Sequence, residues 1–327
     1  MHCVDDMISC ERLSTSSSSF QSWRAFAALC GWDVPDSKSP PPSRTFTALG
    51  GEIHLETLPH ADAFITITAD RAKALRNELK AILKDNFLTS GHAARVHGRL
   101  GFAATQLYGR LGRAKLRPFV RRQYESGRTT VNIQMESALK WWLKELCHIR
   151  PRQVPRSLAT RTTIVSYSDG EGAGACVGVA LWDPRLPRPL AGILTVPANI
   201  RELWRDQKEI STIAGSDQGF NDIFEIEAIG PLLLLHDFCK VFTDCLWIHF
   251  IDKSAALACL VRGSSSVQSG DRIVGHTWSL VHMLRVCPWF DRVESKANPV
   301  DGLSRGVLGG PWGELQELHL PTPGALS

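Results

Sequence analysis

Apolar positions recur at helical spacing through much of the first half of the chain and change to strand-like runs in the second. Ala72, Leu75, Leu79, Ile82 and Leu83 form one stripe, with Lys73, Arg76, Lys80 and Lys84 outside it. This predicts an amphipathic helix starting near Thr68 or Asp70, either of which can cap it. Leu100, Ala103, Ala104, Leu107 and Leu111 predict a second helix over about 92–111, and Leu139, Trp142, Leu143 and Leu146 a third over 133–147. Ahead of these, 46–55 and 64–68 alternate as short strands. Residues 11–45 are expected to be loop-rich, because 14–19 is low in complexity and 36–42 accumulates Pro and Ser.

Residues 151–162 hold two prolines and three arginines among small residues and are expected to be a linker. Beyond them, 164–167, 177–182 and 190–196 predict three successive strands. A helix over 223–239, a strand over 246–251, helices over 254–261 and 271–284, and a strand over 289–294 follow. Strands first, then alternating helix and strand, predict an α/β domain with a mixed sheet and helices on its faces. Gly170, Gly172 and Ala175 formally fit a dinucleotide-binding glycine pattern, but a strand follows them where that motif needs a helix. A tight β-turn is the better expectation.

The 327 residues allow more than one core, and 43% hydrophobic with 21% charged residues is ordinary for a globular chain. No apolar run approaches the roughly 18–20 residues that span a bilayer, and no secretory signal pattern opens the chain. Nine cysteines without a C-x-x-C pair predict reduced thiols. Together these predict an intracellular protein, in cytoplasm or nucleus, with no membrane or small-molecule cofactor. The net charge of +4 conceals an asymmetry: residues 71–130 hold fourteen Lys/Arg against three acids, leaving the rest net acidic by seven. Aromatic and glycine residues interleave with that basic block, so it predicts a nucleic-acid surface, with Arg95, Arg99, Arg110, Arg113, Lys115, Arg117, Arg121 and Arg122 as candidate contacts.

Four acids in the second half stand at predicted strand ends or on helix faces: Asp169, Glu225, Asp252 and Asp301. Carboxylates converging on one cleft hold divalent cations that activate water against a phosphodiester. Glu227 is the rival to Glu225; two residues apart on a helix, they face different directions, and the downstream apolar spacing of Ala228, Ile229, Leu232 and Leu233 favours Glu225.

The β-β-β-α-β-α order with acids at these points resembles the ribonuclease H family. Asp169-Gly170 ends a first strand, Glu225 opens a helix, Asp252 ends a fourth strand before Ala255-Ala256-Leu257, and Asn298-Pro299-Val300-Asp301-Gly302-Leu303-Ser304-Arg305 is similar to the last motif of retroelement members. The resemblance implies a five-stranded mixed sheet over 163–327. It also implies two Mg²⁺ ions (Mn²⁺ as a substitute), with Asp169 bridging, Glu225 and Asp252 completing the sites and Asp301 on the more mobile ion. The implied substrate is the RNA strand of an RNA–DNA hybrid. Lys253 departs from the pattern, standing beside Asp252 where relatives have Asn or Ser, and 200–222 resembles an insertion. A catalytically decayed nucleic-acid-binding remnant is the alternative.

At the other end, Cys3-Val4-Asp5-Asp6 resembles the end of a reverse transcriptase palm. Leu29-Cys30-Gly31-Trp32 and Phe46-Thr47-Ala48-Leu49-Gly50 are similar to the segments that follow it. The implied organisation is a truncated palm remnant at 1–66 with Asp5 and Asp6, a basic helical thumb or connection at 67–150, a linker at 151–162 and the ribonuclease H-like domain at 163–327. On this expectation the chain alone does not polymerise DNA.

Overall fold

The structure, a computed structural model, describes residues 8–9, 11–48, 50–55, 62–106, 110–125, 127–149, 151–155, 161–209 and 222–321. Asp5 and Asp6 lie outside the described residues. The chain divides into two compact units, Met1–Ala74 with Ile149–Ser157, and Leu75–His148 with Leu158–Ser327.

The first unit begins with helix α1 (Ser16–Leu29), where a loop was expected. Serine favours turns because its hydroxyl competes for nearby backbone groups. Here the hydroxyls of Ser16 and Ser18 donate to the carbonyls of Leu13 and Thr15 at the helix entrance, and the alanines beyond sustain the helix. Strands β1 (Thr45–Ala48), β2 (Gly51–Leu55), β3 (Ala63–Ile67) and β4 (Arg152–Val154) form an antiparallel sheet in that order. Strand β4 lies within the expected linker: Val154 pairs with Ala63 and Arg152 with Ile65. Pro151 and Pro155 bound this three-residue edge strand, where a missing N–H breaks no ladder.

Helix α2 (Ala69–Asp85) leads into the second unit. Its residues Leu75, Leu79 and Ile82 are buried there, as predicted. Helices α3 (Ser90–Gln106), α4 (Arg117–Gln123) and α5 (Ile133–Cys147) follow, with Val96, Leu100, Phe119, Leu139 and Trp142 buried. Asn132 caps α5 by accepting from the Met135 amide at 2.9 Å.

The remainder of the second unit is a six-stranded mixed sheet. Strands β5 (Thr163–Glu171), β6 (Cys176–Trp182) and β7 (Leu190–Thr195) are antiparallel neighbours. Strand β8 (Leu246–Ile251) pairs parallel to β5, and β9 (Cys287–Arg292) parallel to β8. A sixth strand absent from the sequence reading, β10 (Leu315–Glu317), pairs parallel to β7. The order is β10-β7-β6-β5-β8-β9. Residues 172–175 close the β5–β6 hairpin, and the Glu171 carboxylate accepts from the amides of Ala173 and Gly174, as the expected tight turn requires.

Helices α6 (Ala198–Glu209), α7 (Ile223–Asp237), α8 (Ser254–Arg262) and α9 (Gln268–Met283) complete the frame, with a last short turn, α10 (Asp301–Ser304). Helix α6 occupies the start of the insertion-like stretch and buries Ile200 and Trp204 in the main core. Alternation along β6 divides the sheet's two faces. Val177, Val179 and Leu181 join the main core with α7, whereas Ala180 packs with Val300, Leu303 and Trp312 on the opposite side. Helix α7 is buried from Glu225 to Leu235, apolar nearly all round because the sheet and α9 enclose it. Among the described residues no helix is long and apolar enough to cross a membrane.

Candidate metal centre

Three carboxylates meet at the ends of the central strands. Asp169 comes from β5, Glu227 from α7, and Asp252 from the residue after β8. One oxygen of each lies within 4.8 Å of the others. The parallel pairing of β5 and β8 sets the two aspartates side by side. Glu227 reaches them because α7 lies close against β5. A Cβ at Gly230, one turn further along, would stand 2.4 Å from the Cβ of Ser168, so only glycine permits that approach.

The acid that joins the pair of aspartates is therefore Glu227, whereas the sequence reading favoured Glu225. Two residues along a helix turn the side chain by about 200°, so only one of the two can face the strand ends. Glu225 is fully buried elsewhere, its Oε1 accepting from the Ser269 hydroxyl of α9 at 2.6 Å. Gly230 was the available signal: lying three residues after Glu227, it marks the face that touches the sheet.

Two of the three carboxylates are held by neighbouring side chains. The Ser304 hydroxyl donates to Asp169 Oδ2, and Asn298 Nδ2 donates to the Ser168 carbonyl at 3.0 Å and to Asp169 Oδ1 at 3.5 Å. Ser295 donates to Asp252 Oδ2 at 2.6 Å. Glu227 Oε2 and Asp252 Oδ1 are buried without a hydrogen-bond partner. A partnerless oxygen on each of two clustered carboxylates suits a divalent cation, a hard ion that prefers oxygen ligands. Asp301 lines the same cleft of about 730 Å³. It stands outside the group of three and pairs with Arg305 at 2.7 Å.

The charges oppose one another. Burial raises the Glu227 carboxyl to about 8, and the negative charges of Asp252 and Asp169 add to this. Burial also raises Asp169, with Asp252 and Asp301 contributing, against the lowering effect of Ser304. Below about pH 4.5 Glu227 is protonated in both folded and unfolded chains. Between there and about pH 8 the unfolded chain ionises first, so the metal-free protein loses stability as pH rises through that window. A bound divalent cation offsets the repulsion. Addition of Mg²⁺ is therefore expected to raise the melting temperature, more at pH 8 than at pH 6, because protons compete with the ion. Thermal denaturation with and without EDTA measures this.

The predicted nucleic-acid contacts are largely engaged within the unit. Arg99 pairs with Glu78, and Arg95, 66% exposed, lies 3.7 Å from the same carboxylate. Arg110 and Arg113 donate to the Val261 and Arg262 carbonyls at the end of α8. Arg117 donates to Ser265 O at 2.7 Å and pairs with Asp271 at 3.1 Å. Arg121 donates to Gln134, and Lys115 is partly buried, its pKa lowered by desolvation. Arg122 is 2% exposed and donates to the carbonyls of Leu88, Arg128 and Thr130, so it has no face for a phosphate. Sequence shows the positive charge but not the unpaired carbonyls at helix and loop ends that attract it.

No protein-family model matches the chain, and no curated protein is similar to it. Among solved structures it is similar to a foamy viral protease-reverse transcriptase in complex with RNA/DNA hybrid, at 10% identity and a TM-score of 0.34. That match covers 87% of this chain and 34% of the other, so the chain spans about a third of that protein's length.

Proposed function

We propose that the second unit is a divalent-metal-dependent endonuclease that hydrolyses the RNA strand of RNA–DNA hybrids, with Asp169, Glu227 and Asp252 holding Mg²⁺. The observation behind this reading is the meeting of three carboxylates from β5, α7 and the end of β8, two of their oxygens buried without partners. The ribonuclease H resemblance implies aspartates on neighbouring strands with a glutamate reaching in from a helix above; the parallel pairing of β5 with β8 and the packing of α7 on β5 support this reading. Substituting Glu227 for Glu225 completes the set.

A divalent cation held by Asp169, Glu227 and Asp252 would supply a Lewis acid to lower the pKa of water and stabilise charge on phosphate oxygens. Hydrogen bonds reach two of these carboxylates, from Asn298 and Ser304 to Asp169 and from Ser295 to Asp252. Arg305, exposed at the cleft, offers a guanidinium to the phosphate backbone. The 2′-hydroxyls and wide minor groove of the hybrid distinguish its RNA strand.

The test is the full chain on a hybrid labelled in either strand, with Mg²⁺ or EDTA. Cleavage of the RNA strand alone, dependent on Mg²⁺, is the expected outcome. Salt-sensitive hybrid binding without cleavage in either Mg²⁺ or Mn²⁺ would instead establish the decayed binding module. The favourable field of Lys253 on Glu227 would then be a substitute for the lost cation.

A further inference from the structure

The turn that ends in α10 does more than close the back of the sheet. Val300 and Leu303 bury their side chains against Ala180 with Trp312, fixing the turn on β6. It sits so close that a Cβ at Gly178 would lie 2.8 Å from Leu303 Cβ and 2.9 Å from the Ser304 amide nitrogen. Gly178 is the register partner of Asp169 across the β5–β6 ladder. Packing on Gly178 therefore delivers Ser304 to the Asp169 carboxylate from the adjoining strand.

Two side chains of this segment grip Asp169 from different sides, both almost wholly buried. Ser304, 1% exposed, donates to Oδ2; Asn298, 5% exposed, spans from the Ser168 carbonyl to Oδ1. The amide of Asn298 is itself oriented, since its Oδ1 accepts from the Val300 amide at 3.3 Å. The Ser304 hydroxyl has one proton and two acceptors in reach, Asp169 Oδ2 and the Asp301 carbonyl at 2.9 Å. It can release the carboxylate oxygen to a cation and keep a hydrogen bond.

We infer that Asn298 and Ser304 are positioning residues that set the orientation of Asp169 for divalent-cation binding. The inference rests on the metal reading of the site. Partners of metal ligands govern affinity because they fix the ligand's rotamer before the ion arrives, and their loss typically weakens binding roughly 10–100-fold.

The experiment measures Mn²⁺ binding to the full chain by electron paramagnetic resonance, alongside metal-free melting temperature, for wild type, Ser304→Ala, Glu227→Gln and Leu318→Ala. The last removes buried apolar volume from the main core, apart from the residues that pack the turn on β6. Ser304→Ala is expected to weaken Mn²⁺ binding by roughly tenfold or more and to melt near the wild type. Leu318→Ala is expected to melt earlier with Mn²⁺ affinity unchanged. Equal weakening in both variants means that Ser304 acts only through the fold and overturns the inference. So does wild-type affinity in Ser304→Ala while Glu227→Gln loses the ion, which leaves the metal site standing. A wild type that binds no Mn²⁺ removes the metal reading and this inference together.

Discussion

Glu227→Gln is expected to reduce Mg²⁺-dependent cleavage of the hybrid by roughly 10³-fold or more, whereas Glu225→Gln leaves the rate within a few-fold of wild type. The first estimate follows from losing an anionic ligand at a site where the ion stabilises transition-state charge by several kcal/mol, at 1.36 kcal/mol per tenfold. Glu227 shares its site with Asp169 and Asp252, and its Oε2 lacks any other partner. Glutamine keeps the shape and removes the charge. Glu225 faces α9, where Ser269 donates to it. A glutamine carbonyl can still accept that bond, so the cost there falls on stability. Initial rates at saturating Mg²⁺, with melting temperatures for both variants, separate the two. If Glu225→Gln abolished cleavage in a folded protein while Glu227→Gln did not, the assignment of the helix acid would be reversed.

A second large effect concerns acid stability. His249 is fully buried on β8, between the hydroxyls of Ser166, 2.8 Å from Nδ1, and Ser168, 3.1 Å from Nε2. Trp247 Nε1 donates to the same Ser166 oxygen at 2.7 Å. Desolvation lowers the imidazole to about 3 from an ordinary 6.5. Above pH 6.5 the ring is neutral in both states. As pH falls from there to about 3, the unfolded chain takes up a proton that the folded chain refuses, so stability is lost through that window. The loss is roughly 2 kcal/mol by pH 5 and about 4–5 kcal/mol near pH 3. Urea unfolding of wild type and His249→Gln at pH 7 and pH 5 gives the check. The wild type is expected to lose about 2 kcal/mol more than the variant on acidification. Parallel losses would mean that His249 is not held neutral by burial.

Much of this fold was legible in periodicity. The α5 span of 133–147 and the β8 span of 246–251 agree with the sequence reading, because each is bounded by a change in apolar spacing. Helix α1 and strand β4 were not legible. Serines and prolines describe what a segment disfavours in isolation, and the partners that override this lie elsewhere, Ile65 and Ala63 for β4. That Asp169 and Asp252 come together follows from their places near the ends of neighbouring strands, and strand ends are local features of the sequence.

Sequence alone determined the main helices and strands of the second unit, their apolar stripes, and that acids would stand near the ends of two strands. Only the tertiary structure decided that Glu227 rather than Glu225 joins them. That choice depends on the rotation of α7 about its own axis, and a helix buried on nearly every side has no polar face to reveal it. Gly230 settles the rotation by contact with Ser168, a residue some sixty positions away in the chain. The basic block shows the same limit. Its charge was plain in the sequence, but whether a guanidinium meets a phosphate or a carbonyl of its own chain depends on unpaired backbone groups at α8 and beyond, which exist only once the fold has formed.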